Sequence, residues 1–363
     1  MTNTASTNIN TTHTSTVNNE LKAPYLVFLG DAEDCLMAKV AKGVAHWRPE
    51  KCVGQMRLEN AQVDLGLSEM SVQDAAAAGA KTFVLGLAPI GGTLPVKWLP
   101  ILIEAMEAGM DIASGLHIRL NEIQDLVAVA ERTGQRLIDV REPQVEMVCG
   151  TGLPRSGKRL LAVGSDCCVG KMFTTLAIHR EMAQRNMKAT FRATGQTGIL
   201  IEGSGVPVDA VVSDFIAGVV EELCPSNDDD HWDIIEGQGS LFHPAYAGVS
   251  LGLLHGSQAD VIIVCHEAGR EQMDLMEGYP VPPLEEIIAT NLQLGALTNP
   301  NIRLGGIALN TSALSEEDAL AEIARCQAQF GVPVVDPVRT GVTAIVDALS
   351  PSTGRAASDV KEG

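Results

Sequence analysis

Leu161-Ala-Val-Gly-Ser-Asp-Cys-Cys-Val-Gly-Lys-Met172 is the stretch on which the fold turns. It opens as a short apolar run of the kind that forms a buried strand. Gly164-x-x-x-x-x-Gly170-Lys171 follows, one residue longer than the usual G-x-x-x-x-G-K loop, and apolar residues at 172, 173, 176 and 182 then share one face of a helix. Strand, glycine-bounded turn and helix in that order make a phosphate cradle, in which backbone N–H groups, the helix start and the lysine all face the anion. Gly164, Ser165, Asp166, Cys167, Cys168, Val169, Gly170, Lys171 and Met172 are therefore the candidate ligand-binding residues. Position 172, where a Ser or Thr hydroxyl would help hold magnesium, is methionine. A phosphorylated ligand held without a metal is expected.

A similar glycine-lysine turn, one residue shorter, occurs at Gly152-Leu-Pro-Arg-Ser-Gly157-Lys158, but Arg-Leu-Leu-Ala-Val follows it, which is a strand pattern. With no helix start to face an anion, 152–158 reads as a linker. Glycine, proline and charge between 150 and 158 also make it the best boundary in the chain. The expected layout is a 1–24 polar tail, a Rossmann-like domain over 25–150, a P-loop domain over 151–350 and a second tail over 351–363. Residues 1–24 lack the apolar centre of a secretory signal.

Short apolar strands alternate with helical patterns through both halves, which predicts two parallel α/β sheets. In the first half, strands are expected at 25–30, 82–86 and 136–140, with helices at 75–78, 98–106 and 120–130. In the second, strands are expected at 160–163, 189–192, 233–235, 261–264, 305–309 and 333–335. Helices there are expected at 171–185, 210–222, 284–292 and 316–329. No G-x-G-x-x-G follows a first-half strand, so a nicotinamide cofactor has little support.

The chain has 363 residues, 45% of them hydrophobic, and a formal charge of −19. Such a charge disfavours nucleic acid and anionic membrane surfaces. No apolar run is long enough to span a bilayer. An acidic protein that binds an anionic ligand must gather its cations locally, so each arginine near the phosphate loop gains interest. The eight cysteines show no zinc-like spacing and read as reduced, buried thiols of a cytoplasmic protein.

In open parallel sheets, ligands collect at the carboxyl ends of the strands. Phe191 leads into Arg192-Ala-Thr-Gly-Gln-Thr-Gly198, whose glycines suit close approach to a ligand and whose Arg192 suits a carboxylate or phosphate. The alternative for Arg192 is an ion pair with a nearby acid. Asp233-Ile-Ile ends in Glu236-Gly-Gln-Gly, where Glu236 is either a general base or a cap on the glycine turn. Val261-Ile-Ile-Val-Cys ends in His266-Glu267-Ala-Gly-Arg270, a second group of acid–base candidates. His231, His243 and His255 are weaker candidates. Asp228-Asp-Asp230 reads as a solvated loop, and 86–92 and 111–117 as strand-end loops that face the other domain.

Two family resemblances emerge from these segments. Over about 160–340, the phosphate loop, Glu236-Gly-Gln-Gly and Ala308-Leu-Asn310 resemble dethiobiotin synthetase and related P-loop proteins, which implies that Asn310 contacts a base. Over about 25–349, the chain resembles the bacterial D-glutamate N-acetyltransferase family. That resemblance lies in Trp47-Arg-Pro-Glu50, Asp111-Ile-Ala-Ser-Gly-Leu-His117, Phe191–Gly198, His231–Pro244, Leu251-Gly-Leu-Leu-His255 and Asp336-Pro-Val-Arg-Thr-Gly341. It implies an N-terminal Rossmann-like domain, a C-terminal P-loop domain, and acetyl transfer from acetyl-CoA to the amine of D-glutamate in D-amino-acid breakdown. The coenzyme phosphates would sit on 164–171, and Arg192, Arg270 and Arg339 would take the substrate carboxylates. Glu236, Glu267 or His266 would accept the amine proton. A covalent route through Cys167 or Cys168 is the alternative, if the helix start lowers a thiol pKa. A homo-oligomer is expected from related P-loop folds. The competing functions are an ATP- and magnesium-dependent ligase or kinase and a non-catalytic nucleotide binder.

Overall fold

The computed structural model describes residues 20–34, 37–87, 94–274 and 276–349. Residues 1–19 and 350–363, Cys35 and most of the 86–92 loop lie outside them. Residues 20–24, expected in the tail, instead join the fold: Leu21 is buried and its N–H donates to the Gly203 carbonyl at 2.7 Å. The first sheet holds β1 (Tyr25–Gly30), β2 (Cys52–Arg57), β3 (Thr82–Leu85), β4 (Asp111–Ser114) and β5 (Leu137–Asp139). All are parallel, in the order β2-β1-β3-β4-β5. Helices α1 (Lys39–Trp47), α2 (Val72–Ala77), α3 (Leu99–Glu107) and α4 (Gln124–Thr133) cover it. Ser71 caps α2 by accepting from the Asp74 N–H, and α4 ends at Gly134 in the left-handed region.

The second sheet comprises β6 (Lys158–Gly164), β7 (Ala189–Arg192), β8 (Trp232–Ile235), β9 (Val261–Glu267), β10 (Arg303–Asn310) and β11 (Val334–Val335). It is also parallel, in the order β11-β10-β9-β6-β8-β7. Its helices are α5 (Lys171–Gln184), α6 (Gln196–Glu202), α7 (Ile216–Leu223), α8 (Ala247–Ser257), α9 (Leu284–Gly295), α10 (Glu316–Phe330) and α11 (Thr343–Leu349). Central strands are apolar on both faces because each face meets helices. Leu161 and Val163 of β6 join one core with α7, α8 and α9, while Leu160 and Ala162 join another with α5 and α11. Among the described residues no helix is long and apolar enough to cross a membrane.

The two sheets share a seam. Phe173, Leu176 and Ala177 of α5 and Ile199, Leu200 and Ile201 of α6 belong to the same hydrophobic core as the first sheet. Trp47 meets Phe173 edge-on with ring centroids 4.8 Å apart. Arg48 pairs with Glu202 at 2.7 Å, and Arg141 with Asp209 at 2.7 Å. Asp111–Ser114 is the buried strand β4, where the sequence reads as a loop over 111–117; Gly115, just after it, lies against Gln196 of the second half.

Several elements differ from the sequence expectation. The helix expected over 210–222 starts only at Ile216, after isolated 3₁₀ turns at Val208–Ala210 and Ser213–Phe215. Val208 and Val211 are buried from these turns. The helix expected from 120 is broken at Ile123, which is extended between a 3₁₀ turn at Leu120–Glu122 and α4; the Leu120 and Asn121 N–H groups that open the turn donate to the Asp139 carboxylate. β2 carries no apolar run because it is a half-buried edge strand. Three glycines depress the helix signal of α8.

Candidate active site

Since every strand of the second sheet runs the same way, their carboxyl ends form one edge. Strand order reverses beside β6: the chain goes out through β7 and β8 and then crosses to β9. A crevice opens at such a switch point. The phosphate loop fills it, with α5 starting at Lys171. Lys171 is buried, and its Nζ donates to the Asp166 carbonyl at 2.7 Å. Burial holds its pKa below the ordinary lysine value. Gly237 of the neighbouring loop passes so close that a Cβ there would lie 1.7 Å from the Ala162 carbonyl oxygen. Ser240 Oγ donates to the Ser165 carbonyl at 3.1 Å.

Asp166 is a clamp within the loop. Its carboxylate accepts from the Arg270 guanidinium, the Asp274 N–H and the Cys167 N–H, each at 2.7 Å. Arg270 also donates to the Cys167 carbonyl at 3.0 Å and pairs with Glu267. Arg270 and Glu267 therefore meet at the phosphate loop, bound to each other. His266 lines the same cavity as Arg270, and its Nδ1 shares a 2.9 Å hydrogen bond with Ser165 Oγ in the loop. Burial, then Arg270, hold its pKa below the ordinary histidine value, leaving a neutral imidazole at pH 7. Cys168 holds φ +56, a region that non-glycine residues rarely occupy.

Glu236 stands at the end of β8, on the opposite side of β6 from His266. It is buried, and its Oε2 accepts from the Thr194 N–H at 2.9 Å and the Gly195 N–H at 3.1 Å. Burial pushes its pKa up to about 7 against those hydrogen bonds and nearby Lys171. The glycines after Arg192 serve this carboxylate: a Cβ on Gly198 would lie 2.2 Å from Glu236 Oε2. The close approach read from the sequence as ligand contact is contact with Glu236, and Gln196–Glu202 is helical.

The remaining candidates scatter along the edge. Arg192 Nε donates to buried Asp233 at 2.8 Å, on the outer strand away from the phosphate loop. That is the alternative its sequence left open. Arg339 donates to the carbonyls of Thr311 and Leu314, at 3.3 and 2.8 Å. This places it by Asn310, which ends β10 and accepts from the Ser312 N–H. Thr174 and Thr175 turn their hydroxyls to the helix backbone, at Gly170, Lys171 and Met172. Neither hydroxyl replaces the one missing at Met172.

The thiols correct an expectation. Cys167 has its pKa pushed up to about 11, because desolvation outweighs the attraction of Lys171. The seven described cysteines are free, but Cys149 and Cys168 are exposed rather than buried. Sequence reasoning passed over Gln238, whose amide donates to Thr194 Oγ1 at 3.1 Å beside Glu236. It also underrated His243, which is buried and lies with Asp166 and Cys167 so that one donor atom of each falls within 4.8 Å of the others. His243 Nδ1 already accepts from the Ala245 N–H and its Nε2 faces the Asp274 carbonyl. Gly152–Lys158 leads straight into β6, and Lys188 pairs with Asp228 and Asp230 in the exposed acidic loop.

Residues 148–346 match the model of a domain of unknown function, the DUF1611 C-terminal P-loop domain, and residues 51–143 match the DUF1611 N-terminal Rossmann-like domain. The chain belongs to the DUF1611 family. A protein of Tritonibacter scottomollicae named D-glutamate N-acetyltransferase is 52% identical over 330 residues, covering 91% of this chain and 99% of the relative. One of the same name from a Pseudoalteromonas species is 49% identical over 327 residues, covering 90% and 98%. A DUF1611 crystal structure from Anabaena variabilis superposes with a TM-score of 0.78 at 33% identity, over 90% of this chain and 99% of that one. The family reached from the long matched segments is thus the one these relatives represent, and the two-domain α/β architecture is theirs as well.

Proposed function

We propose that this protein transfers an acetyl group from acetyl-CoA to the amine of D-glutamate. The names of two relatives that share about half its residues over nearly their whole lengths carry this reading. The site's chemistry supports it. Coenzyme A bears phosphates that a glycine-lysine cradle can hold, and the absence of a hydroxyl at Met172 suits a cradle that binds phosphate without turning it over.

In the proposed reaction, the coenzyme pyrophosphate displaces the Asp166 carbonyl as the partner of Lys171, and the thioester lies along the carboxyl edge of β6 and β8. D-Glutamate arrives as an ammonium. Glu236, poised near pH 7, takes one proton through Oε1, since Oε2 is occupied by two N–H groups. The freed amine attacks the thioester carbonyl, the C–N bond forms and the C–S bond breaks. The second amine proton goes to the departing thiolate. Backbone N–H groups of the glycine turns supply the oxyanion contacts. Among the arginines, Arg339 is the freest to take a substrate carboxylate, because its close partners are neutral carbonyls and its nearest acid, Asp336, is 4.0 Å away. Arg192 and Arg270 are already paired with buried acids. No metal enters this scheme, and the proposed setting is a cytoplasmic homo-oligomer in D-amino-acid catabolism.

The deciding assay incubates the protein with acetyl-CoA and either D- or L-glutamate, and with ATP and magnesium in parallel, while following free thiol and free phosphate. Thiol release that requires D-glutamate is the expected result. Phosphate release without thiol would point instead to the ligase or kinase chemistry of dethiobiotin synthetase-like proteins.

A further inference from the structure

Along α5, the helix that begins at the phosphate loop, a groove of about 320 Å³ runs at the seam between the two sheets. Its walls include His46 and Trp47 from α1, Phe173 and Arg180 from α5, and Pro337 and Val338 after β11. Three observations make it more than a gap. First, it runs along the helix that the cradle opens: Phe173 stands two positions past Lys171, in the first turn of α5. Second, it is aromatic. Trp47 and Phe173 meet edge-on at 4.8 Å, His46 and Phe173 lie nearly parallel at 5.8 Å, and Val338 leaves an apolar face 75% exposed opposite them.

Third, it holds a cation without a close acid. The Arg180 guanidinium lies 4.1 Å from the Trp47 ring centre, and its Nη2 donates to the His46 carbonyl at 3.3 Å. Among the described residues it forms no ion pair, and Glu50 acts on it only at longer range. Glu181, the carboxylate in the groove, is bound by Arg185 at 2.7 and 2.9 Å. Lys171 and Arg180 are nine residues apart, about 13 Å of helix rise. Helical side chains lean toward the N-terminus, which shortens that separation.

We propose that this groove binds the 3′-phosphoadenosine end of coenzyme A, with the purine against Phe173, His46 and Val338 and the 3′-phosphate on Arg180. The proposal rests on acetyl-CoA being the donor. It gives the first domain a part in donor binding, through His46 and Trp47. It also gives the protein a way to tell coenzyme A from ADP or ATP, which share the pyrophosphate and purine but lack the 3′-phosphate. A planar base stacks on any of these ring faces, whereas only the extra phosphate calls for the arginine.

The test is calorimetric titration of the full chain with adenosine 3′,5′-bisphosphate and with 5′-AMP, which differ by the 3′-phosphate alone. The wild type is expected to bind the bisphosphate about tenfold tighter, the size of one charge-assisted contact. Arg180→Ala should erase that difference while leaving 5′-AMP binding unchanged, and Arg180→Lys should restore part of it. Val338→Glu, which puts a negative charge in the groove, should weaken both nucleotides. In turnover, Arg180→Ala should raise the KM for acetyl-CoA, but not for 3′-dephospho-acetyl-CoA, with kcat intact. Equal wild-type affinity for the two nucleotides, or an equal loss for both in Arg180→Ala, would overturn the proposal. A bisphosphate preference in a protein that transfers no acetyl group would support the groove and sink the acetyltransferase reading. Acetyl transfer indifferent to the 3′-phosphate would do the reverse.

Discussion

Lys171, Glu236 and Cys167 lie within a few residues of β6 or its neighbour, yet burial acts on each differently. For Lys171 it makes the bare ammonium costly, so an anionic partner gains what solvent no longer supplies. Lys171→Ala should weaken coenzyme A binding roughly 10- to 100-fold, the span of a charged hydrogen bond, as read by titration with CoA. Burial raises the pKa of Glu236 from 4.5 to about 7, so as a base it works only when deprotonated. The acid limb of kcat/KM against pH should therefore bend near 7 with activity rising above it, and Glu236→Gln should cost roughly 10²- to 10⁴-fold. Stability runs the other way. A folded pKa above the unfolded one means that the native state binds more protons, so the contribution is whole below 4.5 and is lost as pH rises through about 7. Melting curves should show Glu236→Gln gaining on the wild type between pH 5 and pH 8, on the order of 3 kcal/mol at most. Cys167, raised to about 11, is roughly one part in ten thousand thiolate at pH 7. Replacing Cys167 and Cys168 together with serine should leave turnover intact in the thiol-release assay, and its loss would revive a covalent route.

At the level of elements, the turn from β7 into α6 is a socket for a carboxylate that comes from β8. Its N–H groups at 194 and 195 hold Glu236, and Gly198 leaves room for it. Gly198→Ala puts a methyl group inside the van der Waals radius of Oε2, so either the carboxylate or the helix must move. Activity should fall at least tenfold, with the pH profile displaced, while far-ultraviolet dichroism stays native. An unshifted profile would mean that Glu236 is not the titrating base. The sequence displayed Glu236 at a strand end but not its socket, because the socket is assembled across strands. Arg192 was open to misreading for the same reason. It faces Asp233, two positions before its register partner Ile235 on the adjacent strand, and such diagonal pairs are fixed only once the strands are ordered.

For the molecule as a whole, the second sheet does not close its own surface. Leu176, Phe191, Ile199, Leu200 and Ile201 are buried in the core of the first sheet. A fragment beginning near residue 145 would expose that face, and exposed apolar areas of this kind drive association. Such a fragment should bind a hydrophobic dye and aggregate on size-exclusion chromatography, whereas the full chain should not. A monomeric, dye-silent fragment would show that the seam is dispensable. Trp47-Arg-Pro-Glu50 acquires a physical meaning here, since Trp47 meets Phe173 and Arg48 pairs with Glu202 across the seam.

By itself, the sequence determined what depends on neighbours along the chain. Alternating strands and helices specify parallel sheets, and the run from Leu161 to Met172 specifies a phosphate cradle, because strand, turn and helix there are contiguous. Half-buried β2 and glycine-rich α8 escaped it, since edge exposure and helix packing override local pattern. Only the tertiary structure decided which charges are spent and which are free. Asp166 takes Arg270, Asp233 takes Arg192, and Arg180 meets a ring instead of an acid, in pairings that join positions far apart in sequence. Burial, which raises Glu236 and Cys167 alike, is likewise a property of the packed chain, because it depends on how much water the rest of the molecule excludes.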